Sequence, residues 1–592
     1  MIKRKLAVYT VAASALVSAF AHAQLGPTAA ETYDHALKRA TTVPALESGL
    51  FGEHVDLFDG STVFNVVDID ATTNNGLPLM LSRELSVNAR EADRRGDYSG
   101  GLFDLFDANW TLDVPYVHGV FAGNQGWLQP SRCPAISSPP QSVYGTGHFY
   151  NTEIRSREYW SGNIVNIPGL GKEEIWRPGA TNKKPNDGMS YIAVTKSNWY
   201  FSCLEELKRG TGQGFVMRAP DGTTYYFDWF VKNGAPPLYA EYCDINGCGE
   251  SISLFREHVY LYATKVTDRF GNWVEYKYDE TQPQRLMSMR SNDGVTIAIE
   301  YGPNGKITGA TLGTRRWSYS YENGTFKVIQ PDLSTWTYSY SAGFGSLTRS
   351  EYNNLWQGIC SLNVGSKTSA QNPHPSDTGQ LTAIAPGGAV GVFSFRRLVH
   401  GTNNASGGCY LDTIGTGSSA HLVQRFEGIP KAYQVASIYK KSISGPGNAL
   451  QTWTYNYQPS WGWKWTECSQ GIACGSTAST LVSYPDQTKR RYTFGNDADT
   501  NLNQLLELTV ENSTGVVVER TSFTYLTTAA GQPFPDGIGS GGGWMTEHFK
   551  TRLRPETSRS IKMDGVTFTR AINSFDDLAR PSKITRSSTP SN

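Results

Sequence analysis

Two carboxylates lie two residues apart in the segment VVDID, at Asp68 and Asp70. Because side chains alternate along a β-strand, this spacing predicts that both point to the same face. Paired carboxylates carry out glycoside hydrolysis, and carboxylate oxygens are also the ligands that Ca²⁺ prefers. The competing interpretation, which we favour, is an ordinary strand face in contact with solvent.

The sequence contains little else that suggests catalysis. Its ten histidines are scattered, without a His-Glu-x-x-His motif, and no Gly-x-Ser-x-Gly motif marks a nucleophile. Gly537–Gly542 formally matches Gly-x-Gly-x-x-Gly, but it lies in a glycine run without the strand and helix that nucleotide binding requires. We therefore expect a protein that is not an enzyme and has no catalytic residue, cofactor or metal.

Rows of aromatic residues at every second position form a second candidate site. If the rings are exposed, they make a flat surface on which sugar rings can stack. If they are buried, they are cross-strand pairs that stabilise a sheet, and we favour this alternative because large exposed apolar rows are rare on soluble proteins. The members of this candidate ligand surface are Trp317, Tyr319, Tyr321, Trp336, Tyr338 and Tyr340.

The eight cysteines suit an oxidising compartment. Cys243 and Cys248 bracket the short loop CDINGC, and Cys468 and Cys474 bracket CSQGIAC, so each pair is predicted to form a local disulfide. Zinc is the competing interpretation, but zinc sites usually have closer cysteine spacing and histidines nearby. The sequence leaves open the pairing of the others, which are Cys133, Cys203, Cys360 and Cys409.

Short strands joined by tight turns carry these residues. In Val295–Tyr340, runs with an apolar or aromatic residue at every second position alternate with turn sequences such as Asn323-Gly324. Alternation predicts strands with one buried face, and Asn-Gly is a strong hairpin signal because both turn residues need positive φ. The pattern Trp-x-Tyr-x-Tyr returns at Trp453, and tyrosines recur about every 20 residues between Tyr278 and Tyr340. We expect an all-β fold in which repeated hairpins form a long curved sheet, with a short helix near the N-terminus.

The N-terminus has the pattern of a secretory signal peptide. Lys3-Arg4-Lys5 precedes an apolar run that ends at about Phe20, and Ala21-His22-Ala23 predicts cleavage before Gln24. A membrane anchor is the alternative, but the run is shorter than the ~20 residues of a spanning helix. We expect a secreted or cell-surface protein, with the periplasm as the alternative location, and no membrane span after signal removal.

Charge bears on the class of partner. The sequence has 53 basic and 53 acidic residues, so its formal net charge is zero. Proteins that bind nucleic acids usually carry a basic surplus that contacts the phosphates. The composition therefore argues against nucleic acid as a partner.

Two stretches resemble the repeat unit of the rearrangement-hotspot (RHS), or tyrosine–aspartate (YD), repeat family. The first is GNWVEYKYD, and the second is NSFDDLARPSKIT, in which Phe-Asp stands for Tyr-Asp and Ala579 replaces the usual turn glycine. The residues that match the repeat motif are Tyr276, Tyr278, Asp279, Phe575, Asp576 and Arg580.

The resemblance implies a long β-sheet ribbon that can spiral into a shell, which in many family members encloses a C-terminal toxin domain. The sequence ends at Asn592, shortly after a repeat, without an evident core-closing motif or toxin domain. The chain thus resembles the N-terminal part of such proteins. Self-cleavage and toxin activity are therefore not expected of it.

Composition and the resemblance together divide the chain into nine segments. They are a signal peptide (1–23), a helical or linker segment (24–50), an initial β segment (51–130), an irregular Pro/Gly-rich region (131–210), YD-like β-repeats (211–345), a polar loop (346–378), divergent β-repeats (379–530), a Gly-rich loop (531–545), and a final repeat with the tail (546–592).

We expect an exported, non-enzymatic RHS/YD-like scaffold, adhesin or shell that serves intercellular or interbacterial interaction. The partner would be a cell-surface glycan, a protein or a toxin cargo chain. One alternative is a secreted carbohydrate-binding or carbohydrate-active protein, which would need paired carboxylates beside exposed aromatic rings. Another is a shell for a toxin that is encoded separately or has been lost.

Overall fold

The structure is a computed structural model. It describes residues 49–71, 73, 76–87, 105–106, 108–146, 151–160, 162–179, 184–244, 247–344, 378–401, 403, 410–414, 421–425, 432–458, 475–497, 500–527 and 554–590. The signal peptide and the predicted N-terminal helix lie outside these residues.

Strands dominate this part of the chain. They are β1 (Glu53–Val55), β2 (Thr62–Ala71), β3 (Leu79–Val87), β4 (Trp110–Asp113), β5 (Tyr116–Ala122), β6 (Val143–Thr146), β7 (Asn151–Ile154), β8 (Ile164–Ile167), β9 (Gly171–Glu174), β10 (Ala193–Val194), β11 (Tyr200–Leu204), β12 (Gly214–Arg218), β13 (Thr224–Asp244), β14 (Gly247–Thr267), β15 (Trp273–Tyr278), β16 (Leu286–Ser291), β17 (Thr296–Tyr301), β18 (Ile307–Leu312), β19 (Arg315–Glu322), β20 (Thr325–Ile329), β21 (Thr335–Tyr340), β22 (Thr378–Ile384), β23 (Val390–Gly401), β24 (Tyr410–Ile414), β25 (His421–Arg425), β26 (Ala432–Gly445), β27 (Asn448–Gln458), β28 (Thr477–Ser483), β29 (Lys489–Gly495), β30 (Leu505–Glu511), β31 (Val517–Tyr525), β32 (Glu556–Met563), β33 (Val566–Phe575) and β34 (Pro581–Pro590).

Three short helices lie wholly within the described residues. They are the four-residue α-helix α1 (Ser156–Tyr159) and two 3-10 helices, Gly126–Leu128 and Cys133–Ala135. The predicted all-β fold of repeated hairpins is therefore confirmed. No described helix is both long enough and apolar enough to cross a membrane.

The strands form two antiparallel sheets. The small sheet contains β1, β2, β3 and β4 in that order, and the large sheet contains the other 30 described strands. From β10 to β23, each strand of the large sheet pairs with the next one along the chain, and the same holds from β26 to β34. Neighbours in sequence are thus neighbours in space, as the hairpin repeats predict.

Strand β14 is a branch point of the large sheet. Along one edge it pairs with β13, which is equally long, with both strands spanning 21 residues. Its other edge is shared, because Arg256–Tyr262 pairs with β5 while Lys265–Thr267 pairs with β15. A second departure from simple order lies at β23, which pairs with β26, while the hairpin of β24 and β25 joins β13.

The predicted turn at Asn323-Gly324 connects β19 to β20. Asn323 has φ 51° and Gly324 has φ 73°, so both residues lie in the left-handed region. This is the conformation that a two-residue hairpin turn requires and that glycine and asparagine adopt most readily. The dipeptide therefore fixes the register in which Glu322 pairs with Thr325.

Aromatic side chains from the two sheets meet in the main core. Phe64 of the small sheet packs edge-on against Phe393 of β23, with ring centroids 4.9 Å apart. Trp110 packs against Tyr338 of β21 at 5.0 Å. The small sheet therefore covers the aromatic face of the hairpins between β19 and β23.

Candidate functional site

A β-bulge in β2 separates the two candidate carboxylates. The pairing of β2 with β3 shifts register between Val67 and Ile69, so Asp68 is an extra residue in its strand. As a result Asp68 and Ile69 are both buried, while Asp70 is exposed. The prediction that the two carboxylates share one face is wrong, because a bulge interrupts the alternation on which that prediction depended.

Asp68 is paired with a fully buried arginine. The Arg83 Nε donates to Asp68 Oδ2 at 2.9 Å, and both side chains are excluded from solvent. Arg83 Nη2 donates to the hydroxyl of Tyr338 at 3.0 Å. The guanidinium also lies 4.1 Å from the ring centroid of Trp110 and 4.7 Å from that of Tyr338. We call Asp68, Arg83, Trp110 and Tyr338 the arginine cluster.

The electrostatics of the arginine cluster follow from its burial. Desolvation raises the pKa of Asp68 above its ordinary range, while the charge and the hydrogen bond of Arg83 oppose the rise. Desolvation also acts to lower the pKa of Arg83, but the neighbouring Asp68 carboxylate more than offsets it, so the pKa of Arg83 is raised. A guanidinium that remains charged inside the core needs its carboxylate partner. The cluster is therefore a structural ion pair inside the small sheet, and the contacts of Arg83 with Tyr338 tie that sheet to the large one.

The six aromatic residues of the candidate ligand surface differ in solvent exposure. Trp317, Tyr319 and Tyr338 are buried, whereas Tyr321 is 41% exposed. The half-buried members are Trp336 and Tyr340, and both pack against the core. Five of the six rings thus contribute to the core beneath the small sheet, which leaves Tyr321 as the exposed member.

A second buried ion pair joins the small sheet directly to the large one. Lys441 Nζ of β26 lies 3.2 Å from Glu53 Oε1 of β1, and each side chain is 1% exposed. The ammonium also lies 4.3 Å from the ring centroid of Trp453, which begins the third Trp-x-Tyr-x-Tyr pattern. The backbone N–H of Phe51 donates to the other oxygen of Glu53. Sequence reasoning missed this pair, and its signal was a lysine in the otherwise apolar-alternating strand β26.

Two histidines far apart in sequence meet between β5 and β14. His118 Nε2 and His258 Nδ1 are 3.0 Å apart, and the ring of Tyr260 stacks on His118 at 4.2 Å. Burial, with a contribution from Arg256, lowers the pKa of His258 to about 3. Among the described residues no group of three or more His, Cys, Asp or Glu side chains is placed to hold a metal ion. The histidine pair is a hydrogen-bonded contact between β5 and β14, in which the lowered pKa keeps His258 neutral near pH 7.

The first repeat motif supplies a buried tyrosine and a turn carboxylate. Tyr278 is buried, and its hydroxyl donates to the carbonyl oxygen of Ala263 at 3.1 Å. Asp279 accepts hydrogen bonds from Thr281 and Gln282, and these bonds lower its pKa. Tyr276 is half-buried against the core. The motif is thus a structural unit, in which the aspartate stabilises the turn and the tyrosine anchors the strand.

The last repeat motif has the same kind of aspartate-centred turn. Asp576 accepts hydrogen bonds from the backbone N–H groups of Leu578 and Arg580, and from Arg580 Nε at 2.7 Å. Ala579 has φ 57°, which lies in the left-handed region that glycine adopts more easily. Phe575 ends β33, immediately before this turn. We call residues 576–580 the terminal turn.

The terminal turn packs against a much earlier part of the chain. Leu578 is fully buried in a hydrophobic cluster with Trp176, Tyr191, Val194 and Tyr200. We call these four residues the receiving pocket.

Polar contacts reinforce this packing. Arg580 Nη1 donates to the carbonyl oxygen of Lys196 at 3.2 Å and to the side-chain oxygen of Asn198. A side chain at Gly179 would collide with the Asp577 carboxylate, so the chain passes close to the turn there. The contact spans 384 residues of sequence between Arg580 and Lys196.

One disulfide is present among the described cysteines, between Cys133 and Cys203, whose Cα atoms are 5.7 Å apart. The bond closes a loop with a sequence separation of 70 residues, and the sequence alone left this pairing open. Cys243 and Cys248 are directly opposite each other in the pairing of β13 with β14, and their disulfide stays a prediction. Cys468 and Cys474 lie outside the described residues, as do Cys360 and Cys409.

Comparisons with known proteins do not identify a family for this chain. No family model matches the chain, and no curated protein matches it. Crystal structures of TcdB2-TccC3-TEV and of TcdB2-TccC3 align with it at TM-scores of 0.18 and 0.11 and identities of 9% and 10%. The alignments cover 94% and 82% of this chain, which spans 28% of the length of those chains. Similarity at this level does not establish a shared fold or function.

Proposed function

We propose that the protein is a non-enzymatic β-sheet scaffold of the RHS/YD-repeat type, which is exported and serves interaction with another macromolecule. The scaffold holds its repeats in a fixed arrangement and offers its surfaces to a partner at or beyond the cell surface. A protein partner, including a toxin cargo chain, is the class that we favour over a glycan. Within the candidate ligand surface, the exposed aromatic area that a glycan would need is reduced to Tyr321.

The observation that carries the proposal is the packing of the terminal turn in the receiving pocket. In a repeat array each unit usually contacts only its neighbours in sequence. Here Leu578 and Arg580 contact residues that precede them by almost 400 positions, and the contact combines a buried apolar side chain with specific hydrogen bonds. A ribbon that is held at two distant points has a defined shape, which is what a scaffold requires.

The chemistry of the described residues supports the same conclusion. The one carboxylate pair that suggested glycoside hydrolysis is split, since Asp68 is committed to Arg83 inside the core and Asp70 faces outward. Of the other buried groups, His258 is hydrogen-bonded to His118, and Asp228 forms an ion pair with Lys208 at 4.0 Å. The charged groups of the core thus serve structure.

Native mass spectrometry of the product purified from its producing cells tests the proposal. We expect the scaffold to appear in complex with another polypeptide, or covalently continuous with one. A panel of polysaccharides is assayed in parallel, with Asp70→Asn as the variant and Lys583→Gln as the matched surface control. Hydrolysis by the unmodified protein that is lost in Asp70→Asn alone would overturn the scaffold proposal in favour of a carbohydrate-active enzyme.

A further inference from the structure

Lys441 of β26 lies in an aromatic part of the core. Its side chain is 1% exposed, although lysine is rarely buried to this extent in proteins. In the large sheet it is directly opposite Phe393 of β23 on one side and Trp453 of β27 on the other. Residues that are directly opposite in an antiparallel sheet have their side chains on the same face. The two rings therefore flank the lysine.

Glu53 of β1 brings a carboxylate to this lysine from the small sheet. Its Oε1 lies 3.2 Å from Lys441 Nζ, and its side chain is also 1% exposed. The other oxygen, Oε2, accepts a hydrogen bond from the backbone N–H of Phe51 at 3.1 Å. The ring of Phe51 packs edge-on against Phe393, with ring centroids 5.8 Å apart. An amine and a carboxyl group are thus held in contact where water is excluded.

The two buried ion pairs of the core differ in what they can do chemically. Removal of two charges from water costs free energy, and uncharged replacements of a buried pair are often at least as stable. Arg83, the partner of Asp68, has no such route because a guanidinium stays protonated. A lysine can lose a proton, and its neutral amine is a nucleophile. Lys441 and Glu53 can therefore lose both charges by forming an amide bond.

We propose that Lys441 and Glu53 condense into an isopeptide bond that joins β26 to β1 covalently. The Lys441 ammonium first passes one proton to Glu53 Oε1, which leaves a neutral amine in contact with a carboxylic acid. The nitrogen then attacks Cδ of Glu53, so that a C–N bond forms. The C–Oε1 bond breaks as a second proton moves from nitrogen to Oε1, which departs as water. The ammonium and the carboxylate supply every atom of the amide and the water, so no further reactant is needed.

The observed contacts support each part of this reaction. Close contact of the reacting groups removes the entropic cost of bringing them together. The N–H of Phe51 is aimed at Oε2, the oxygen on which negative charge develops when the amine attacks. Oε1, which lies beside the ammonium, is the oxygen that receives both protons and leaves. The surrounding rings exclude the water that would otherwise solvate the charges and oppose condensation. The reaction occurs once in each chain and involves no turnover.

Peptide mapping of the purified full-length protein, after reduction and digestion with trypsin, tests the proposal. Trypsin does not cut after a lysine whose amine is acylated, so a linked Lys441 remains inside the fragment 441–464. We expect this fragment to be joined to 40–83, which carries Glu53, at a mass one water below the sum of the two. The joined product should account for most of the protein. Recovery of 442–464 as the main product, cut after a free Lys441, would overturn the proposal.

The ion pair of Lys232 with Glu257 is the matched internal control. It has the same residue types and a nitrogen–oxygen distance of 2.9 Å, but its side chains are 52% and 34% exposed. Water solvates both charges there, so the amine stays protonated and no link should form. A link at Lys232 as abundant as the one at Lys441 would show that condensation does not depend on burial, and the proposal would be wrong.

A double variant provides the unlinked reference. Glu53→Gln combined with Lys441→Met carries no charge at this place in the core and no amine that can attack, so it should fold and lack the joined product. Circular dichroism checks its folding. A joined product of the same fragments from this variant would mean that other residues form the link, which would also overturn the assignment. The pair lies apart from the terminal turn and the receiving pocket, so failure of this proposal would leave the scaffold proposal standing.

Discussion

Replacement of Asp68 by asparagine removes one charge from the arginine cluster and leaves its shape nearly unchanged. Arg83 then keeps a full positive charge inside the core, where neither side chain of the original pair contacts solvent. Loss of one partner from a buried ion pair typically costs about 3–5 kcal/mol. The rings of Trp110 and Tyr338 still contact the guanidinium, so we expect the lower end of that range, about 3 kcal/mol.

The assay is hydrogen exchange by mass spectrometry on peptides from β2 and β3, because a chain of this length can unfold in more than one step and a local readout avoids that complication. The matched control is Glu257→Gln, which breaks the ion pair between Glu257 and Lys232. That pair also has a 2.9 Å nitrogen–oxygen distance, but its side chains are 34% and 52% exposed. Exposed pairs contribute at most about 1 kcal/mol, so this variant should change little.

A double variant completes the test. Arg83→Met in the Asp68→Asn background removes the uncompensated charge, and we expect it to recover at least about 1 kcal/mol of the loss, since apolar replacements of buried pairs are often neutral. If Asp68→Asn costs no more than Glu257→Gln, the ion pair does not stabilise the core between the sheets. In that case the reasoning on the arginine cluster is refuted.

Three further predictions follow from the other contacts. Leu578→Ala should destabilise the packing of the terminal turn by about 2–4 kcal/mol and increase hydrogen exchange in β10 and β11, with Leu450→Ala, an exposed leucine, as a control that leaves exchange unchanged. Reduction of the Cys133–Cys203 disulfide should lower the free energy of unfolding by about 4 kcal/mol, as its 70-residue separation implies, and Cys203→Ser in urea unfolding should give the same loss. The pKa of His258 is about 3 in the folded protein and near 6.5 in the unfolded chain, so the free energy of unfolding should fall as the pH decreases from 6.5 to 3, by up to about 1.4 kcal/mol per pH unit. Urea unfolding of His258→Gln should show a weaker pH dependence. An unchanged slope would contradict the lowered pKa of His258.

Local features of the fold were readable from the sequence. Asn323-Gly324 predicted its hairpin because the φ preference of these residues is a property of the residues themselves. The alternation in β19 predicted a buried face, on which Trp317 and Tyr319 lie. Each of these signals comes from a few adjacent positions, and the pairing of neighbouring strands then follows.

Features that depend on the meeting of distant segments were not readable. The bulge at Asp68 is set by how β2 fits against β3 and by the partner that Arg83 supplies, neither of which alternation records. The receiving pocket lies in a region whose sequence is irregular. No local pattern in that region indicates that Leu578 packs there. The Cys133–Cys203 disulfide was one choice among several pairings, since loop closure leaves no local pattern.

The separation between the terminal turn and the receiving pocket has a consequence for the order of events during synthesis. Trp176, Tyr191, Val194 and Tyr200 emerge from the ribosome long before Leu578 does, so the pocket has no occupant while nearly 400 further residues are made. A chain that stops before Leu578, or that loses the terminal turn to a protease, presents this apolar pocket to its surroundings. Exposed apolar surface is what chaperones and quality-control proteases recognise, so the arrival of Leu578 removes a recognition signal that a shorter chain still presents.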